Sequence, residues 1–276
     1  MKLELYRNLW GVPGPRRAAL ARIAAAGYDG VEAVLFSAAQ RRELRQALRG
    51  ERLAYKGVAW LHGASVREQI AALRREVHQL LELDPSSISI IGGSDGWTID
   101  QAARYFEAAL TLEAKIGLPI AHETHRDSVL FHPGITRQVL RRFPELKLVC
   151  DFSHWVVSSE RLLDDQLDLI RRCGRQAVHL HVRVGSEQSP QVSDVRAPEF
   201  AHYRRAFETW WEMVWEEQRK QGRERTSLCP EFGPPPYQQS LPYSRRPVGD
   251  LWAMCEWQKN RQKARFARWQ KKSGRH

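Results

Sequence analysis

Four stretches of the chain begin apolar and finish ionisable: PIAHETH (119–125), KLVCDFSH (147–154), AVHLHVR (177–183) and TSLCPEF (226–232). Side chains alternate faces along a strand, so Glu123 shares a face with His125, His179 with His181 and Arg183, and Cys229 with Glu231. A single Glu or His at a strand end is ordinarily a surface group or a salt-bridge partner. Four successive strand ends that carry such groups need another account. Three carboxylates and a histidine converging on one mouth repel one another unless a cation lies among them, and one divalent metal ion meets that need. Three oxygen donors with one imidazole suit Mn²⁺, Mg²⁺ or Co²⁺, while Zn²⁺ is better matched by sites richer in His or Cys.

These stretches belong to a longer alternation. LELYRNL (3–9), GVEAVLF (30–36), AYKGVAWLH (54–62) and SISIIGG (87–93) precede them as further strand candidates. Helical patterns fall between strands near 14–27, 38–49, 65–82, 98–116, 135–143, 160–172 and 198–220, with an eighth at 247–268. Strands alternating with helices indicate parallel pairing through right-handed crossovers. Eight such units predict an α/β protein, a (β/α)8 TIM barrel, whose active residues gather at the C-terminal strand ends. The ionisable ends of the strands then mark the barrel mouth and their apolar starts its packed floor. The first turns carry no GxGxxG, which argues against a dinucleotide fold.

The net charge of +11 points at first to nucleic acid. Its distribution weakens that reading, because eight Lys or Arg residues and no acid lie from Lys259 onward. The chain therefore divides into a barrel domain, 1–258, and a basic C-terminal helical tail, 259–276. The tail is expected to be a closing helix with a frayed end; contact with an acidic partner or a second subunit, giving a homo-oligomer, is the alternative. No apolar run approaches the ~20 residues of a membrane span, and the N-terminus lacks a signal-peptide stretch, so a cytoplasmic protein is expected. The four cysteines are widely spaced and form no CxxC pair, which predicts free thiols.

The order Glu, DxxH, HxH, Glu on strands five to eight resembles the xylose isomerase-like superfamily. That group holds sugar-phosphate isomerases and epimerases, hydroxypyruvate isomerase, inosose dehydratase and the endonuclease IV repair enzymes. GYDGVEAV (27–34), with Glu32, and VSDVRAPE (192–199) add to the likeness, which covers the barrel and stops before the basic tail. The resemblance implies metal ligands Glu123, Asp151, His181 and Glu231. It makes His179 a supporting residue and His154 a substrate contact, or a second metal's ligand in an endonuclease.

Endonuclease IV-like sites hold three metals and use extra histidines. Here the early strand ends offer only His62, and Asp194-Val195-Arg196 stands where DxH would be expected. Arginine stays protonated and is not a metal ligand, so one metal and a small polyhydroxy substrate are favoured over specific nucleic-acid cleavage. Arg183 and Arg196 suit an anionic or polyhydroxylated substrate, and Arg196 equally suits a loop salt bridge. Trp10, His62 and His125 complete the expected substrate contacts; Trp60 is either an aromatic wall or rim packing. The resemblance casts Glu123 and Glu231 as the proton-transferring pair of an isomerase or epimerase, working through an enediolate stabilised by the metal. The same residues could serve a lyase or dehydratase.

Overall fold

Runs of four to seven residues become strands and segments of eight to twenty-three become helices in the structure, a computed structural model. It describes residues 1–34 and 37–273. The strands are Lys2–Asn8 (β1), Gly30–Val34 (β2), Ala54–Trp60 (β3), Ser87–Ile91 (β4), Ile120–Glu123 (β5), Lys147–Cys150 (β6), Ala177–His181 (β7) and Arg225–Cys229 (β8). They are parallel and close into a barrel in sequence order, with β8 pairing back onto β1. The helices are Arg16–Ala25 (α1), Ala38–Glu51 (α2), Val66–Leu80 (α3), Ile99–Ile116 (α4), Pro133–Arg142 (α5), Phe152–Ser159 (α6), Leu167–Gln176 (α7), Ala201–Lys220 (α8) and Leu251–Ser273 (α9). The (β/α)8 barrel expected from the sequence is the fold observed.

Local chemistry sets the starts of the helices. Ser37, Ser65 and Thr98 each form a capping box with the Gln or Glu three residues on, satisfying amides that the first helical turn leaves unpaired. Leucine, isoleucine and aromatic side chains from helices and strands, Leu20, Leu44, Leu73 and Phe106 among them, fill the layer between barrel and helices. All four cysteines are free and buried. Among the described residues no helix is long and apolar enough to cross a membrane.

The strands stop earlier than the apolar runs suggest. The run GVEAVLF ends in two residues outside the described ones, and β5 closes at Glu123, so His125 lies in the following turn. The largest difference is at DFSHW. Asp151 does not continue β6; its carboxylate accepts from the Ser153 amide (2.9 Å) and caps α6, which places His154 on a helix. A spacing of three residues on that first turn keeps Asp151 and His154 neighbours.

The basic C-terminal segment packs against the barrel wall. Helix α9 runs through position 259 without a break, and Phe266 packs edge-on and Trp269 tilted against Trp215 of α8. Arg261 and Arg265 pair with Glu208, which is buried, and Arg265 also reaches Glu212. The sequence pattern showed no acid within the segment itself; the acids stand on a different helix. Truncation at 258 should therefore lower thermal stability sharply, since a buried charge stripped of its partners costs ~3–5 kcal/mol. Removing only 271–276 should leave the melting temperature and turnover unchanged. Thermal melts of both truncations decide the matter: equal melting temperatures would refute this account of the helix.

Candidate active site and metal centre

Alternation along β5 turns the LPIAHETHRD segment into two environments. His122 faces outward into an aromatic layer, edge-on to Tyr105 and Phe106, and burial pushes its pKa down to about 3. Glu123 faces inward. From neighbouring elements come Asp151 at the start of α6, His181 at the end of β7 and Glu231 just past β8. One ligand atom from each of these four buried residues lies within 4.8 Å of all the others. Donors bound at about 2.1 Å to a common ion can be no more than about 4.2 Å apart, so a small contraction would close the set on one ion.

His181 carries the geometric argument. Its Nδ1 lies 3.0 Å from Glu231, 3.5 Å from Glu123 and 3.8 Å from Asp151, yet makes no hydrogen bond of acceptable geometry with any of them. A buried ring nitrogen aimed into three carboxylate oxygens is what a metal ligand requires. Its other nitrogen, Nε2, sits 3.3 Å from Glu32, so a proton on Nε2 donates to that carboxylate and leaves the Nδ1 lone pair facing the site. Carboxylate–histidine–metal arrangements fix a ligating imidazole in this way.

The charges fit a divalent ion. Arg183 pairs with Asp151 and stands 3.4 Å from Glu231, so three carboxylates against one guanidinium leave two negative charges. Burial pushes Glu123 up to about 7, only partly offset by His181, and raises Asp151, where Arg183 opposes it. Burial disfavours a charge on His181, but Glu231, Glu32 and Glu123 overcome this and hold its pKa well above the usual histidine value. Without a metal, a proton on His181 is the cation that these acids favour.

Two further histidines touch the centre without an open lone pair. The Asp127 amide donates to His125 Nδ1 (3.0 Å), which places the ring proton on Nε2, beside the Tyr237 hydroxyl at 3.2 Å. His154 Nε2 lies 2.6 Å from Arg183 Nη2, a donor with no lone pair. Burial holds both histidines well below the usual pKa. Although Glu123, His125 and His154 lie close enough to form a ligand group, both imidazoles are engaged elsewhere.

The structure brings most of the sequence-selected residues together and separates two. Trp10, Glu123, His125, Arg183 and Glu231 line one cavity of about 770 Å³, and Asp151, His154 and His181 lie packed beneath it. His62, two residues past the end of β3, is exposed and absent from the cavity wall. Arg196 is held by Asp194 in a fork of hydrogen bonds at 2.6–3.2 Å, away from the cavity; the loop salt bridge is the arrangement found.

Three residues to which sequence reasoning gave no role in the site complete it. Glu32 on β2 clamps His181 and lies 3.2 Å from His179, whose Nδ1 contacts Ser227 at 2.7 Å. Asn8 donates to both Glu32 (3.1 Å) and Glu231 (2.8 Å) and accepts from the Trp10 amide. Tyr237, in the loop after β8, lies under Arg183 and edge-on to Trp10. The family likeness singles out Glu32 within GYDGVEAV without giving it a role; nothing local marks Tyr237. Replacing Glu32 by Gln should weaken Mn²⁺ binding roughly 10–100-fold by loosening the His181 ring. Isothermal titration checks this, and unchanged affinity would remove Glu32 from the metal centre.

No protein-family model matches the sequence, and none of the curated proteins does. Solved structures do match. The 3-keto-D-glucoside 4-epimerase YcjR from E. coli superposes with a TM-score of 0.61 at 11% identity, over 95% of this chain and 100% of that one. The probable 3-DHS dehydratase AsbF from Bacillus anthracis gives 0.59 at 13% identity, over 93% and 97%. A family 2 AP endonuclease from Brucella melitensis gives 0.58 at 14%, also over 93% and 97%. The chain shares the fold of these proteins over more than nine-tenths of its length.

Proposed function

We propose that this protein is a divalent-metal-dependent isomerase or epimerase of a sugar, sugar phosphate or related polyhydroxy carbonyl compound. The observation that carries the reading is the convergence of Glu123 and Glu231 on one side of His181, under an open cavity. The two glutamates come from β5 and from beyond β8, with β6 and β7 between them. They thus reach a common point from different barrel walls, as bases addressing two faces of one carbon must.

A divalent ion, Mn²⁺ foremost, held by Glu123, Asp151, His181 and Glu231 would draw charge from the substrate's carbonyl and adjacent hydroxyl oxygens and acidify the neighbouring C–H. One glutamate then takes that proton and the other returns one, to the opposite face in an epimerase or to the next carbon in an isomerase. Arg183 presents a guanidinium to the cavity, where it can hold developing oxyanion charge. Trp10 and Tyr237 on one side, and Trp60 with His125 on another, wall the cavity above the glutamates.

Similar structures include an epimerase of a keto-glucoside and a probable dehydratase, which supports chemistry of this kind on this fold. A three-metal nuclease site finds less support, since the lone pairs of His125 and His154 face the Asp127 amide and the Arg183 guanidinium. Ketoses, their phosphates and inosose, screened with Mn²⁺ in D₂O, test the proposal. A converted substrate should gain deuterium at the carbon whose proton is exchanged. Conversion without deuterium would overturn the proton-transfer reading.

A further inference from the structure

The polar side chains around Glu123 and Glu231 pair off, donor with acceptor, almost completely. Asn8 spends both amide protons, on Glu32 and on Glu231. Arg183 donates from Nη2 to Asp151 and from Nε to Ser153, while its buried Nη1 makes no hydrogen bond of good geometry. His125 carries its single ring proton on Nε2, because the Asp127 amide already occupies Nδ1, and directs it to the Tyr237 hydroxyl oxygen at 3.2 Å. The Tyr237 oxygen is therefore the acceptor in that bond, and its own proton is left for another partner. Among the described residues no other group bonds this hydroxyl, although Tyr237 lines the cavity together with Glu123 and Glu231.

The hydroxyl is held in place and kept protonated. The Tyr237 amide donates to Pro234 O (3.0 Å), and the buried side chain of the next residue, Gln238, donates to Gly249 O (2.7 Å), which pins this part of the loop after β8. The Trp10 indole stands edge-on at 5.0 Å, and the guanidinium carbons of Arg183 and Arg126 lie 5.0 and 5.1 Å from the phenol ring centre. Burial raises the phenol above its usual pKa while those two cations oppose the rise, so the group stays a neutral O–H with polarising charge beside it. A donor fixed in this way interacts most strongly with an oxygen whose negative charge grows during the reaction. We infer that Tyr237 is a further catalytic residue, whose hydroxyl donates a hydrogen bond to the substrate oxygen that becomes anionic when a glutamate takes the carbon-bound proton. The hydroxyl keeps its own proton throughout. This rests on the proposed enediolate chemistry and adds to it a neutral donor from the loop after β8.

Acetohydroxamate carries one negative charge over two neighbouring oxygens and imitates an enediolate, while glycolamide has the same oxygen spacing without the charge. Calorimetric titration of Mn²⁺-loaded wild type and Tyr237→Phe with both probes tests the inference without requiring turnover. Acetohydroxamate should bind the wild type more tightly than glycolamide does. Tyr237→Phe should weaken acetohydroxamate roughly tenfold or more, the margin of one hydrogen bond to a charged group, and glycolamide by at most about threefold. Melting temperature and bound Mn²⁺ should match the wild type, because the hydroxyl oxygen that is lost serves a single His125 proton. Acetohydroxamate affinity within about twofold of wild type in Tyr237→Phe overturns the donor and leaves the proposed function standing. So does an equal weakening of both probes, or a loss of bound Mn²⁺, since either marks a hydroxyl that only supports the structure. Acetohydroxamate binding the wild type no more tightly than glycolamide contradicts the enediolate reading itself.

Discussion

Glu123→Gln and Glu231→Gln should each cut turnover by about 10²–10⁴-fold, the range that one positioned acid or base contributes. Glutamine keeps the size of the side chain and an oxygen donor but cannot accept the substrate's proton. Both residues also belong to the ligand set, so metal content has to be measured on the same samples. The expected signature is a large fall in kcat with at most a partial loss of bound Mn²⁺. Solvent exchange should separate the two residues: the variant that lacks the abstracting base should stop exchange of substrate protons with D₂O. The variant that lacks only the returning acid should retain exchange while forming little product. Turnover within fivefold of wild type in both variants would remove them from the chemistry.

His181→Ala should abolish stoichiometric metal binding, because it removes the one nitrogen donor and releases Glu32 from its partner. Retention of one metal per chain would show that His181 is not a ligand. Binding to the wild type should also weaken as pH falls below about 7, where Glu123 takes up a proton that a metal must displace. The corresponding stability effect has the opposite direction. The folded state holds the Glu123 proton more tightly than the unfolded chain, whose carboxyl titrates near 4.5. Its contribution is fully present below pH 4.5 and is lost as pH rises through about 7. Melting temperatures of metal-free protein should therefore carry a Glu123-dependent decline across that window, absent in Glu123→Gln. Mn²⁺ should restore stability most at the alkaline side. Metal affinity that is flat from pH 5 to 8 would contradict the buried, proton-competent Glu123 described here.

The sequence by itself determined the barrel and the strand ends that carry its ionisable groups. Strand and helix periods are local properties, and eight repeats of the pair leave few ways to bury both elements. Ionisable groups at four strand ends were legible because parallel strands deliver their C-terminal ends to one face, while the choice of Glu123, Asp151, His181 and Glu231 among them came from the family resemblance. Tertiary structure decided what depends on partners distant in sequence. Glu32 becomes a clamp only because β2 and β7 face each other across the barrel, bringing residues 149 positions apart within 3.3 Å. Asp151 ends a strand and caps a helix, a choice made by one side chain's hydrogen bond over the apolar run before it. His62 and Arg196 stand at promising positions in the chain yet turn away, because loop direction is set by packing and by nearby partners such as Asp194. The basic C-terminal segment shows no acid to its own neighbours in sequence; the folded chain places Glu208 and Glu212 of α8 against it. Charge pairing, unlike periodicity, is a property of distance in space, and only the closed barrel fixes those distances.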